Sequence, residues 1–181
     1  PDHTAIIHGP LRRSYAAFYE RTRQLGSALA SRFGIGRGDT VSVILLNTPA
    51  MLECHYGVPM CGGVLHSINT RLDAKVIAFQ LDHAQAKVLI VDRECMALAQ
   101  QALRLAEVQP VLIQYDDPEF TEPTAAVAAD VLDYEAVIAS GDANFDWLMP
   151  TDEWDAISIN YTSGTTGDPK GVVYHHRGAY L

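Results

Sequence analysis

The chain has 181 residues, 48% hydrophobic and 19% charged, which suits one globular domain or part of a larger one and excludes a disordered or fibrous polypeptide. Lys and Arg total 13 against 22 Asp and Glu, a net charge of −9, the reverse of the balance that binding a phosphate backbone requires; nucleic acid is not an expected partner. No uncharged apolar run reaches the length of a membrane span. No secretory leader opens the chain, although Pro1 rather than Met stands first and leaves an upstream segment open. Cys54, Cys61 and Cys95 lack CxxC spacing and are odd in number, so reduced core thiols of an intracellular protein are expected rather than disulfides or a metal site.

In chain order, residues 5–7 and 11–14 flank Gly9-Pro10 and predict a short opening hairpin. Ser14 is placed to cap a helix in which Tyr15, Phe18, Thr22, Leu25, Leu29 and Phe33 recur at steps of three and four, closed by Gly34, Gly36 and Gly38. Residues 40–46 form a nearly continuous apolar run of strand length, and Thr48-Pro49 reads as a cap and first helical position. That helix ends by Gly62-Gly63, and residues 64–68 give the next strand. Asp73 caps a helix reaching His83, residues 87–91 are a β-branched run, residues 93–107 are rich in Ala and Leu and hence helical, and residues 111–114 return to strand. Solid apolar strands alternating with helices predict an α/β fold, a mostly parallel sheet with helices on both faces. Residues 115–129, with Pro118, Pro123 and several acids, lose all periodicity and read as a surface excursion.

The chemistry concentrates near the C-terminus. Residues 155–161 are strand-like, with Ile157 and Ile159 alternating against Ser158 and Asn160, and residues 172–174 resume an extended pattern. Between them runs Thr162-Ser163-Gly164-Thr165-Thr166-Gly167-Asp168-Pro169-Lys170-Gly171. Glycines let backbone N–H groups approach an anion closely, the hydroxyls of Thr162, Ser163, Thr165 and Thr166 add neutral donors, and Lys170 adds a compact positive charge. A polyphosphate is the natural ligand; a polar hairpin with nothing bound is the alternative. The Walker pattern does not fit, because Pro169 intervenes, Gly171 stands where Ser or Thr is required, and strand rather than helix follows.

The string from Tyr161 to Gly171, YTSGTTGDPKG, resembles the signature loop of the adenylate-forming superfamily, which includes acyl-CoA synthetases, luciferases and nonribosomal-peptide adenylation domains. Ser14-Tyr15 with Phe18 resembles the family's first core motif and Gly62-Gly63-Val64 its second. The run from His66 to Leu72, residues 81–92 and the closing His176-Arg177-Gly178-Ala179-Tyr180-Leu181 are more similar to acyl-CoA ligases, so the resemblance spans nearly the whole chain.

The resemblance implies the N-terminal portion of a large AMP-binding domain, roughly the first third of a family member. The full enzyme is expected to activate a carboxylic acid with ATP and pass the acyl group to CoA. A carrier protein or oxygen as acceptor, or a non-catalytic module, are the other readings. By the same resemblance Thr162, Ser163, Gly164, Thr165, Thr166, Gly167 and Lys170 hold the β- and γ-phosphates. Lys170 is the catalytic cation on the departing pyrophosphate, Mg²⁺ shares that charge, and the loop orders only around phosphate. The adenine contacts, a magnesium-binding Glu and the CoA site are expected after Leu181, so residues 1–181 alone are expected to be inactive. A cytoplasmic location is implied, with a peroxisomal one open, and an exposed sheet edge is compatible with a homo-oligomer. His55, His66, His175 and His176 read as structural or pocket-edge histidines, and Asp116, Asp117 and Glu119 as solvated surface.

Overall fold

The computed structural model describes residues 1–123, 130–162 and 169–181. Strands β1 (Thr4–His8) and β2 (Leu11–Ser14) form the expected antiparallel hairpin as a separate two-stranded sheet. Helix α1 (Tyr15–Phe33) follows, then β3 (Thr40–Ile44), α2 (Pro49–Met60), β4 (Val64–Ser67), α3 (Ala74–His83) and β5 (Ala86–Asp92). A 3₁₀ turn at Arg93–Cys95 leads into α4 (Met96–Leu103), β6 (Val111–Tyr115), β7 (Leu132–Asp133) and α5 (Tyr134–Ala139). The chain closes with β8 (Ala156–Thr162), β9 (Lys170–His175) and α6 (His176–Tyr180).

The main sheet has the order β7-β6-β5-β3-β4-β8-β9. All neighbouring strands are parallel except β9, which runs antiparallel to β8 at one edge. Alternation along each strand sends side chains to two separate cores. Val41, Val43, Leu65, Val88, Ile90 and Ile113 pack under α1, α2 and α5. Ile44, Leu89 and Val91 pack under α3 and α4. The doubly wound arrangement predicted from the apolar runs is thus present.

Local chemistry explains the element ends. The Ser14 hydroxyl accepts from the Ala17 amide at 3.2 Å, a cap worth about 1 kcal/mol, and Gly34 ends α1 at φ +64. Asp73 Oδ1 accepts from the Val76 amide at 2.9 Å in the same way. Tyr15, assigned to the buried stripe of α1, is instead 58% exposed, because the first turn hangs from the hairpin and burial starts at Thr22. Thr48 sits at the N-cap of α2 but makes no side-chain cap bond; its hydroxyl donates to the Leu46 carbonyl at 3.4 Å, where β3 has already turned away. The helix expected over residues 93–107 stops at Leu103, since Asp82 Oδ1 takes the amides of Glu107 and Val108 at 2.8 and 2.9 Å. The three thiols are buried and unpaired, and burial pushes Cys61 and Cys95 up to about 11 and Cys54 further still.

Two features escaped the sequence pattern. Among the acids at 116–119, Asp117 is not free surface: 8% exposed, it lies 2.8 Å from His8 Nε2, whereas Asp116, 2.8 Å from Arg93, and Glu119 are exposed as expected. The separation of 109 residues between His8 and Asp117 hid their contact. The second is the wholly buried carboxylate of Glu53 on α2, which accepts from Arg13 at 2.7 Å, Arg21 at 2.6 Å and the Tyr134 hydroxyl at 2.9 Å. It links the hairpin, α1, α2 and α5. Glu53→Ala should lower unfolding free energy by about 3–5 kcal/mol in urea titrations, because two arginines lose their buried counter-charge. A loss under about 1 kcal/mol would show that water takes the place of the carboxylate.

Candidate phosphate-binding site

Strand β8 runs parallel to the central strands, so Thr162 lies at the carboxyl end of the sheet, the end where open α/β sheets bind ligands. Strand β9 returns from that end, and the ladder places Thr162 directly opposite Lys170, with Tyr161 opposite Gly171. This is the strand–loop–strand geometry expected from the sequence. Both Thr162 and Lys170 are exposed, and among the described residues Lys170 has no ion-pair partner. Ser163, Gly164, Thr165, Thr166 and Gly167, and the expectation that the loop orders only around phosphate, lie outside the described residues.

Strand β8 overhangs its inner neighbour. The β4–β8 register covers Leu65↔Ser158 and His66↔Ile159, whereas the β8–β9 register continues to Thr162↔Lys170. Beneath the overhang lies a polar cluster. The Tyr161 ring packs on His66 with centroids 5.0 Å apart, and its hydroxyl lies 2.6 Å from His83 Nδ1 at the end of α3. His66 Nδ1 lies 2.8 Å from the Ser42 hydroxyl, and Gln80 stands beside the ring. His66 Nε2 makes no hydrogen bond of normal geometry. Burial holds this imidazole down at about 4, so it is neutral at physiological pH.

His175 is the cap of α6, accepting from the Gly178 amide at 2.9 Å and packing on Trp154, while His176 begins the helix. His55 is exposed and turns its Nδ1 onto the Met51 carbonyl. A cavity of about 560 Å³, bordered by Leu52, Tyr56, Met60, Leu65, Trp147 and Ile157, opens beside α2 and does not include Thr162 or Lys170. Among the described residues no three His, Cys, Asp or Glu side chains gather as metal ligands. Thr162, paired with Lys170 across the ladder, offers a hydroxyl, a group that donates well to phosphate oxygens. Sequence reasoning quoted Tyr161 without a role and missed His83 altogether; the 78-residue separation of the pair leaves no local signal.

The chain belongs to the AMP-binding enzyme family, whose pattern it matches over residues 1–180. It is 45% identical to the peroxisomal acetate/butyrate–CoA ligase of Arabidopsis thaliana over its whole length, covering 33% of that protein. To the acetate–CoA ligase of Humulus lupulus it is 43% identical, again over all of this chain and 33% of the relative. The chain therefore spans about a third of the length of the curated relatives it matches. Among solved structures, the anthranilate CoA ligase in complex with anthranoyl-AMP superposes with a TM-score of 0.83 at 23% identity, covering 97% of this chain and 32% of that one, a likeness of fold. The Mycobacterium tuberculosis fatty acyl CoA synthetase gives 0.70 at 27% identity, covering 92% and 30%. The α/β fold expected for the N-terminal portion of an adenylate-forming enzyme is present, and no helix among the described residues is long and apolar enough to cross a membrane.

Two buried groups near this edge titrate in opposite senses. Asp92, at the end of β5, is wholly buried, and its oxygens lie near the Leu46 and Glu94 amides without a hydrogen bond of normal geometry; burial pushes it up to about 6. It gives full stability below its unfolded value of 3.8, a contribution lost as pH rises through 6. His66 is depressed, so its contribution is full above 6.5 and lost as pH falls through 4. Each is worth about 3 kcal/mol, and the two nearly cancel between those limits. Urea unfolding between pH 4.5 and 7.5 should therefore be nearly flat for the native chain. Asp92→Asn should unmask stability that falls on acidification, and His66→Gln stability that rises. Parallel profiles for all three proteins would contradict both assignments.

Proposed function

We propose that this chain is the phosphate-gripping part of an acid–CoA ligase. Residues 1–181 would form the N-terminal portion of its AMP-binding domain, with the remainder of that domain and a small C-terminal domain following in the whole enzyme. The observation that carries this reading is the full-length likeness, at 43–45% identity, to proteins named as acetate– and butyrate–CoA ligases. The opposed, exposed Thr162 and Lys170 at the carboxyl end of the sheet agree with it. A small carboxylic acid attacks the α-phosphorus of ATP, giving an acyl-adenylate and pyrophosphate; the CoA thiol then displaces AMP to form the thioester.

Lys170, on a regular strand rather than a mobile tail, is placed to meet the negative charge that collects on the β- and γ-phosphates as the bond to the α-phosphorus breaks. Thr162 offers a neutral donor beside it, and Ser163, Gly164, Thr165, Thr166 and Gly167 complete the grip in this proposal. Mg²⁺ would accompany ATP and offset part of its charge, while the hydroxyls of this chain would donate to phosphate oxygens. Cytoplasm and peroxisome both fit such an enzyme; several of the relatives carry the peroxisome in their names.

Acid-dependent exchange of labelled pyrophosphate into ATP is the direct test in the whole protein. Acetate, butyrate and benzoate should be compared, because relatives act on acids of those names. Lys170→Ala should slow exchange by on the order of 10²–10³, as for removal of one preorganised charge-stabilising group. Exchange at the native rate in that variant would remove Lys170 from the reaction.

A further inference from the structure

We propose that His83 is a positioning residue for the phosphate grip, acting through its hydrogen bond to the Tyr161 hydroxyl. The inference rests on the phosphate-binding reading of Thr162 and Lys170 and adds a device that holds them in place. Its starting point is the overhang. Past Ile159, strand β8 has no registered partner on its β4 side, so Asn160, Tyr161 and Thr162 are registered only with β9, itself the edge of the sheet. A two-stranded ribbon projecting from a sheet is marginally stable by itself. The two residues proposed to touch phosphate, Thr162 and Lys170, stand at the tip of this ribbon.

Tyr161 ties the ribbon to the body of the domain. Its ring lies between His66 on β4, at 5.0 Å, and His83 on α3, at 5.7 Å in an edge contact. His83 is in turn stacked on Phe79 one turn back along the helix, with centroids 5.7 Å apart. Across the ladder stands Gly171. A Cβ there would crowd Ile159 Cδ1 at 3.0 Å but meet Tyr161 Cε1 at an ordinary contact distance of 3.5 Å, so the ring's position does not depend on this glycine. Ring packing alone would be satisfied by phenylalanine. The polar half of the contact, the 2.6 Å bond from hydroxyl to Nδ1, is what fixes the direction of the ring and with it the end of β8. A neutral imidazole accepts the phenol proton at Nδ1, and a protonated one donates from Nδ1 to the phenol oxygen. The tie therefore survives in either state of His83.

The test uses the whole protein and four variants: Tyr161→Phe, His83→Ala, the double variant, and His83→Gln, which keeps a hydrogen-bonding atom near the hydroxyl. Hydrogen exchange without nucleotide reads the ribbon directly. The amides of residues 170–174 should exchange about tenfold faster in Tyr161→Phe and in His83→Ala, with the double variant no faster than either single one. Pyrophosphate exchange should show KM for MgATP raised about tenfold in the same variants, with native unfolding midpoints and partial recovery in His83→Gln. Unchanged amide exchange overturns the tie, and faster amide exchange with unchanged kinetics overturns the positioning role. Should the native protein show no acid-dependent exchange, the functional reading falls, while the amide data still decide whether His83 anchors the ribbon.

Discussion

The buried carboxylate of Glu53 is the contact on which the arrangement of this domain turns. Arg13 brings β2 to it, Arg21 brings α1, Tyr134 brings α5, and Glu53 itself belongs to α2. Arg21 also reaches out to Glu135 at 2.8 Å, so one guanidinium bridges an interior and a surface acid. A buried ion pair seldom adds much net stability over an apolar substitute, because desolvation offsets the attraction. What it adds here is directional: the four elements fit the carboxylate in one arrangement only. The crossing of α1 over α2 is close enough to need it, since a Cβ on Gly26 would lie 3.0 Å from the Gly57 carbonyl and one on Gly57 would strike Leu25. Fixing α2 also fixes the turn that follows β3 at the carboxyl end of the sheet.

The two faces of the sheet are not equivalent. Under α1, α2 and α5 the core is aliphatic and aromatic, with Glu53 and its partners gathered at the hairpin side. Under α3 and α4 it begins as aliphatic around Ile44, Leu89 and Val91, then becomes polar toward β8, where Ser42, His66, Gln80 and Tyr161 meet. Polarity thus rises toward the strands that carry Thr162 and Lys170. The neutral state of His66 keeps its charge away from the base of the ribbon, whose tip carries the exposed Lys170.

Much of this was legible in the residues because the signals were local. Ser14 and Asp73 cap the helices they precede, and solid apolar runs at residues 40–44 and 87–91 announced strands buried on both faces. The segment proposed to grip phosphate stood out because its glycines, hydroxyls and lysine are contiguous in sequence. The segment containing β7 and α5 was invisible: a strand of 2 residues and a helix of 6 are too short to show a period. The contacts His8–Asp117, Glu53–Tyr134 and His83–Tyr161 join residues 78 or more apart, and nothing local to either partner announces the other. Thr48-Pro49 marked the start of α2 correctly, although the Thr48 hydroxyl turns back to Leu46 instead of capping the helix.

The opposition of Thr162 and Lys170 across the ladder also sets how the segment between them can change over evolutionary time. The ladder brings the two ends of that segment together, so the chain from 163 to 169 spans a closed ring. The entropic cost of closing such a ring grows only with the logarithm of its length, about 0.6 kcal/mol for each doubling. Residues can therefore be exchanged, added or removed within the segment at small thermodynamic cost, provided that the ladder beneath it stays in register. The tolerance ends at the ladder. A single-residue slip between β8 and β9 would turn Lys170 to the opposite side of the sheet, and no adjustment inside the segment could restore it.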